Sequence, residues 1–350
     1  MARVFVGIPT LNRPAWVMET VASVLAQTFT DFRVVVSDNC STGGAAASVR
    51  ESLARLGDSR VSFHQQPENR FEYGQGRYFF GEAREDFFVI LHDDDVLRPE
   101  YLARAVSALD QHAESALFIA DPWVFDENGE RWPERTRTYL AEHGRDRRAA
   151  GPFDVLRTLL ESGFAPISGT CFRLEALRAS GFVDDDCEGN YPFEMNVLLR
   201  LGERGARGWY SNEELLGFRF HRHSQRVYSR VFDNPKMVGT MIQILERRKF
   251  RGWCEWRRRQ ILGMLHRCVA LRLIREGSEA GCRDHLLRAA RVNPFALRLL
   301  GSLALAFLAP GVLRRLLPPL QAAHDGPPVV IHGSTPAASQ RLEMTPSDVD

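Results

Sequence analysis

Three consecutive carboxylates, Asp93, Asp94 and Asp95, lie in the run FFVILHDDDVLRPEYL. The residues before them are apolar enough to form a buried strand, which places the acids at its C-terminal end. Like charges that close repel one another unless a cation lies among them. Hard oxygen donors suit Mg²⁺ or Mn²⁺, and such an ion would in turn hold a diphosphate. The alternative is a solvated acidic loop capping the helix that starts near Pro99-Glu100, but the buried strand in front favours the functional reading. Asp38 ends a second β-branched run, FRVVVS, in the same way.

The elements that must carry these acids alternate. Val4 to Ile8 is a short apolar run closed by Pro9, and from Pro14 the residues Trp16, Val17, Val21, Val24 and Leu25 recur at helical spacing. Phe32 to Ser37 is a second strand, followed by the loop Ser41-Thr42-Gly43-Gly44 and an Ala-rich helix to about Leu56. Val61 to His64 and Phe87 to Leu91 read as further strands. Strands separated by helices predict crossover connections, an α/β fold and a mainly parallel sheet, with ligands beyond the C-terminal ends of its strands. Further on, helices are expected over 153–161 and 193–204, with a strand-like Ile167 to Phe172 between them. From Pro235 the chain reads as a string of helices, and no internal repeat is visible.

Composition sets outer bounds. With 350 residues, 44% hydrophobic and 25% charged, the chain has material for one large domain or two smaller ones, which excludes wholesale disorder, collagen and a disulfide mini-scaffold. The six cysteines form no C-x-x-C pair and read as reduced thiols of a cytoplasmic protein, and the apolar run at the N-terminus is too short for a signal-peptide core. The net charge of +1 hides an asymmetry: residues 236–320 hold 17 Lys or Arg against 5 Asp or Glu, residues 321–350 carry −3, and residues 1–235 carry −8. A basic amphipathic helical region therefore follows an acidic body, and a tail over 321–350 reads as disordered. The uncharged run Leu299 to Leu313 falls short of the ~20 residues that span a bilayer. It contains Pro310, is flanked by Arg291, Arg298, Arg314 and Arg315, and has Trp253 and Trp256 upstream. That is the pattern of an interfacial helix, so 236–320 is expected to meet an anionic membrane surface on the inner face of the cell membrane. Packing on the rest of the chain, or on a second copy in a homodimer, is the competing account. No nucleic acid partner is expected.

In order and spacing, VFVGIPTLNRP, FRVVVSDNCST, FFVILHDDDVLRPEYL, PFEMNVLLRLGERG and GFRFHRHSQRVYS resemble the motifs of the family 2 glycosyltransferases with the GT-A fold. The resemblance covers roughly residues 3–230. It implies a Rossmann-like catalytic domain over 1–235, with a nucleotide-binding half (1–120) and an acceptor half (121–235). It also implies a nucleotide-diphosphate sugar donor, a UDP-sugar foremost, and a glycan or lipid-linked acceptor. Pro9, Thr10, Asn12, Arg13 and Asp38 would hold the nucleotide, Asp38 accepting a hydrogen bond from a uracil-type imide, a task that suits an acceptor-only carboxylate. Asn69, Arg70 and Arg77 are expected in the loop before the acidic strand, where an arginine can grip a diphosphate in bidentate fashion. Asp93, besides binding nucleotide, would belong to the family's DxD-type metal site with Asp94 and Asp95. Read literally the motif is Asp93-x-Asp95, whereas counting back from Pro99 makes Asp94 the main ligand and puts His92 in the place of the first acid. His221 resembles the late histidine that approaches the metal from the other side, with His223, Arg219, Arg222 and Arg226 forming an anion-facing cluster around it.

Inverting transfer needs one carboxylate to take the acceptor's proton, and Glu194 is the candidate. The family usually has Glu-Asp where this chain has Phe193-Glu194, which keeps Asp184, Asp185, Asp186 and Glu188 as rivals. A nicotinamide oxidoreductase is excluded because no G-x-G-x-x-G follows the first strand. A nucleotidylyltransferase would need a Gly-rich, basic first loop, which IPTLNRP is not. A non-catalytic nucleotide-sugar binding or scaffolding protein of the same fold is the alternative to an enzyme.

Overall fold

The computed structural model describes residues 2–162, 166–185, 192–221, 235–294 and 297–317. The first half follows the alternation read from sequence: β1 (Val4–Thr10), α1 (Pro14–Leu25), β2 (Phe32–Asp38), α2 (Ala45–Leu56), β3 (Val61–Gln65), α3 (Phe71–Glu82) and β4 (Phe87–Ile90). β3, β2, β1 and β4 are adjacent and parallel, and the register sets Thr10 beside Asp38 at the C-terminal edge. Along β1 the side chains alternate. Val4, Val6 and Ile8 join a core with α1 and α2, while Phe5 joins a second core with α3 on the opposite face. Both faces are thus covered, as long apolar strands require.

The second half departs from a mainly parallel sheet. It continues through β5 (Val96–Leu97), α4 (Tyr101–Gln111), β6 (Ser115–Phe125), α5 (Pro133–Glu142), β7 (Gly151–Asp154), α6 (Val155–Ser162), β8 (Thr170–Arg173), α7 (Leu174–Ser180), α8 (Phe193–Glu203) and β9 (Arg207–Arg219). β6 and β9 pair in parallel, but β8 is antiparallel to both β4 and β6, and β5 and β7 are antiparallel to β9. The strand–helix alternation fails as a guide here because the chain leaves the sheet through α5 and re-enters it from the opposite direction. The helix expected over 153–161 begins at Val155 because β7 takes the residues before it. The strand expected from Ile167 begins at Thr170, after Gly169 takes a left-handed turn (φ +68°).

A second correction concerns the segment before β4. Arg77, expected in a loop, lies inside α3, which reads poorly as a helix because it contains Gly74 and Gly76. At Gly76 the cause is packing, since a Cβ there would overlap the Phe193 ring at the start of α8.

The predicted string of helices is present as α9 (Pro235–Glu246), α10 (Gly252–Arg275), α11 (Glu279–Val292), α12 (Leu297–Leu308) and α13 (Pro310–Leu316). Met237, Val238, Met241 and Leu245 of α9 and Ile261, Leu262 and Leu265 of α10 share a core with Leu160 of α6 and Leu199 of α8. A separate small core joins the end of α10 to α11, α12 and α13. Among the described residues no helix is long and apolar enough to cross a membrane. The described cysteines Cys40, Cys171, Cys254, Cys268 and Cys282 are free thiols. Asp186, Cys187, Glu188, Arg222, His223, Arg226 and the segment 321–350 lie outside the described residues.

Candidate active site

The acidic triplet follows β4, at the same edge as the ends of β1 and β2. Thr10 at the end of β1 donates its hydroxyl to Asp93 Oδ2 at 2.7 Å. β5 follows Asp95 directly and pairs with Leu216 and Gly217 of β9, so the stretch Arg219 to His221, more than 120 residues later, arrives beside the triplet. Two residues of antiparallel ladder thus unite two motifs remote in sequence.

Each acid has its own surroundings. Asp95 is fully enclosed: its Oδ2 accepts from the Ser168 hydroxyl at 2.5 Å and its Oδ1 from the Arg219 amide at 3.2 Å. Burial and the neighbouring Asp94 push its carboxyl up to about 7. The same two causes raise Asp93 to about 6, against the pull of Arg13 and Thr10. Asp94 is held low despite burial, because its Oδ2 faces His221 Nε2 at 2.9 Å and Arg13 Nη1 at 2.8 Å, with the His92 charge nearby. Trp16 of α1 backs this pair, its ring 4.9 Å from the His221 ring and 5.3 Å from the Arg13 guanidinium. Asp94 is therefore the acid on which Arg13 and His221 converge. Arg219, expected to face an anion, instead bonds the Asp94 carbonyl at 3.0 Å and Glu19.

The set suits a hard divalent ion. Ligand atoms of His92, Asp94 and Asp95 lie within 4.8 Å of one another, and carboxylate oxygens predominate. The ligand atoms of Glu72, His92 and Glu194 also lie within 4.8 Å of one another, so the two groups share His92. The Glu72 carboxylate lies 3.3 Å from His92 Nε2 and, against the cost of burial, raises that imidazole to about 10. Glu194, in the first turn of α8, accepts from the Ile167 amide at 3.2 Å. Removal from water and the Glu72 charge push its carboxyl up to about 7.

The nucleotide-side residues divide. Asp38 is fully buried; its Oδ1 accepts from the Ser41 amide at 2.9 Å, while its Oδ2 has no hydrogen-bond partner. A buried orphan acceptor at the end of β2 is what a base imide would satisfy. Pro9 sits in β1 opposite Ser37. Asn12, in the left-handed region at φ 57°, braces the first loop against the second by accepting from the Thr42 amide at 2.8 Å. Asn69 is likewise a brace, accepting from Asn39 Nδ2 and the Phe71 amide, both at 2.9 Å. Arg77 pairs with Asp185 rather than with the triplet. Among the rival bases, Asp184 is taken up by Arg248, at 2.9 and 3.0 Å, and by Arg200 and Asn196, which hold it below the usual carboxylate range in spite of burial. A carboxylate so occupied is a poor proton acceptor.

Sequence reasoning misses Glu72, Ser168 and Trp16. Ser168 and Trp16 have no motif of their own. Glu72 is hidden because the glycine-bearing α3 does not read as a helix whose first turn faces the acids.

Residues 5–173 match the family described as Glycosyl transferase family 2. Galactofuranosyltransferase GlfT2 of Mycolicibacterium smegmatis is 31% identical over 125 residues, 34% of this chain and 19% of that protein. The chain spans 14% to 45% of the length of the curated relatives it matches. Among solved structures, S. aureus TarS 1-349 superposes with a TM-score of 0.63 at 16% identity, covering 89% of both chains. The mannosyltransferase PcManGT of Pyrobaculum calidifontis, solved with GDP-Man and Mn²⁺, superposes with a TM-score of 0.52 at 16% identity, covering 92% of this chain and 85% of that one. The fold is that of the GT-A glycosyltransferases.

Proposed function

Taking residues 5–173 as a family 2 glycosyltransferase domain, we propose that the chain transfers a sugar from a nucleoside-diphosphate donor to an acceptor hydroxyl, with inversion at the anomeric carbon. The observation that carries this reading is the convergence of Arg13 and His221 on Asp94 at the sheet edge, with His92 linking the triplet to Glu194. Asp38, with its orphan acceptor, favours a uridine donor, and relatives' structures bound to UDP and UDP-GlcNAc support that choice. Asp93, Asp94 and Asp95, with His221, would hold Mg²⁺ or Mn²⁺, and such an ion would neutralise charge on the departing diphosphate. Glu194 takes the proton of the acceptor hydroxyl while its oxygen bonds to the anomeric carbon and the bond to the diphosphate breaks. A carboxyl with its pKa near 7 is well matched to that task. Release of UDP from UDP-sugars, measured with and without Mn²⁺, tests the reading; no turnover of any nucleotide sugar under either condition would refute it.

In the same reading, residues 1–120 serve the nucleotide, 121–235 the acceptor, and 236–320 bring the enzyme to its acceptor. Phe307, Leu308, Val312 and Leu316 are exposed, Leu308 at 85%, beside Arg314 and Arg315. Such a surface fits the anionic inner face of a membrane carrying a lipid-linked acceptor for cell-surface glycan synthesis. Liposome co-sedimentation is expected to grow with anionic lipid and weaken in salt. A protein that stays in the supernatant at every lipid composition contradicts membrane docking.

A further inference from the structure

Arg13 and Arg219 both serve the triplet, but on different terms. Arg219 has a 3% exposed side chain and is tied to the Asp94 carbonyl and Glu19. Arg13 is 28% exposed and bonds only through Nη1, at 3.0 Å to Asp93 Oδ1 and 2.8 Å to Asp94 Oδ2, while its Nε and Nη2 make no hydrogen bond among the described residues. It springs from the loop between β1 and α1, its guanidinium over the Trp16 ring. One of the acids it occupies, Asp94, belongs with His92 and Asp95 to the group whose ligand atoms lie within 4.8 Å of one another.

We propose that Arg13 is a built-in counter-cation of the triplet, which a divalent ion displaces and which then pairs with the donor's diphosphate. A guanidinium and a dication compete for Asp93 and Asp94, so the ion alone binds against Arg13. A diphosphate offers the displaced guanidinium a new anionic partner that it can grip in bidentate fashion. Ion and nucleotide therefore bind cooperatively, and linkage makes the effect reciprocal: each strengthens the other by the same factor. The consequence is a site that keeps a counter-cation on Asp93 and Asp94 when empty and admits metal chiefly together with donor. The inference rests on the donor-site reading above and adds the role of Arg13 in coupling the two ligands.

The test is Mn²⁺ binding, read by loss of the free-ion EPR signal, with and without UDP, on wild type, Arg13→Gln and Arg13→Lys. Wild type should bind Mn²⁺ about tenfold more tightly with UDP than without, and Arg13→Gln should bind Mn²⁺ alone about tenfold more tightly than wild type, with most of the UDP effect gone. Arg13→Lys retains the charge and should stay near wild type in the absence of UDP. Arg13→Gln binding Mn²⁺ alone no better than wild type, or Arg13→Lys behaving like Arg13→Gln, overturns the counter-cation role while leaving the donor site standing. A wild type that binds Mn²⁺ neither alone nor with UDP overturns both.

Discussion

Charge is managed in opposite ways at the two ends of this chain. At the sheet edge, Asp93, Asp94 and Asp95 are largely enclosed, and their partners Arg13, Ser168, Arg219 and His221 come from 73 to 127 residues away. On α10 and α11 the charges pair one turn apart and stay in water: Arg272 with Glu276, Arg283 with Glu279, Arg288 with Asp284. An exposed pair that is broken finds water, whereas an enclosed carboxylate that loses its partner finds nothing. The first arrangement gathers three adjacent acids at one sheet edge, which is the basis of the donor site proposed above. The second is an ordinary helix surface.

Among the enclosed acids, Glu194 is the one whose replacement should have the largest effect. Glu194→Gln keeps the shape and one acceptor oxygen but cannot take a proton, so kcat should fall on the order of 10²-fold or more with donor affinity unchanged. Near-normal kcat would remove Glu194 from the chemistry.

Asp184 sharpens the contrast, because it is an enclosed carboxylate with a purely structural set of partners. Arg248→Ala should cost roughly 3 kcal/mol in chemical denaturation at neutral pH by leaving a buried charge underpaired. Asp184 is held below its ordinary range, so the ion pair's stabilisation is present above the unfolded carboxylate's pKa and is lost as pH falls through the folded one. The gap between wild type and variant should therefore close in acid. A gap independent of pH would assign the loss to packing of the arginine stem.

The pH profile of transfer is the next effect in size. With Glu194 at about 7 and required as the base, kcat should rise with pH and level off above neutrality. A rate that is flat from pH 5 to 8 contradicts a buried Glu base. At the other extreme, Glu276→Gln, which breaks the exposed pair with Arg272, should change stability by less than about 0.5 kcal/mol.

Much of this was legible in the sequence, for physical reasons that also explain the rest. The run FFVIL before the triplet, and Val4 to Ile8 before Thr10, are continuous apolar strands, so the edge of the sheet and the acids on it follow from pattern alone. The late histidine was recognisable by resemblance, but its route to Asp94 through the two-residue β5 was not, because so short a strand has no periodicity. Helix α3 stayed hidden for the opposite reason: its glycines oppose helix propensity, and one of them, Gly76, admits Phe193, a contact between segments over 110 residues apart. With α3 went Glu72, and with it the charge that adds to burial in raising Glu194. The antiparallel β8 reflects the chain's path around α5, α6 and β7, which no local pattern encodes.

In the proposed donor site, Asp94 is the enclosed acid that meets the cation. Titration calorimetry of UDP in the presence and absence of Mn²⁺, on wild type and on Asp94→Asn, addresses it without depending on an acceptor. Asp94→Asn is the variant of choice because Asp95 is already spent on Ser168 and Arg219 and its loss would disturb the fold. Wild type should bind UDP with a clear gain from Mn²⁺, and Asp94→Asn should remain folded and lose that gain. UDP affinity that ignores Mn²⁺ in wild type, or a gain that survives in Asp94→Asn, would contradict the account.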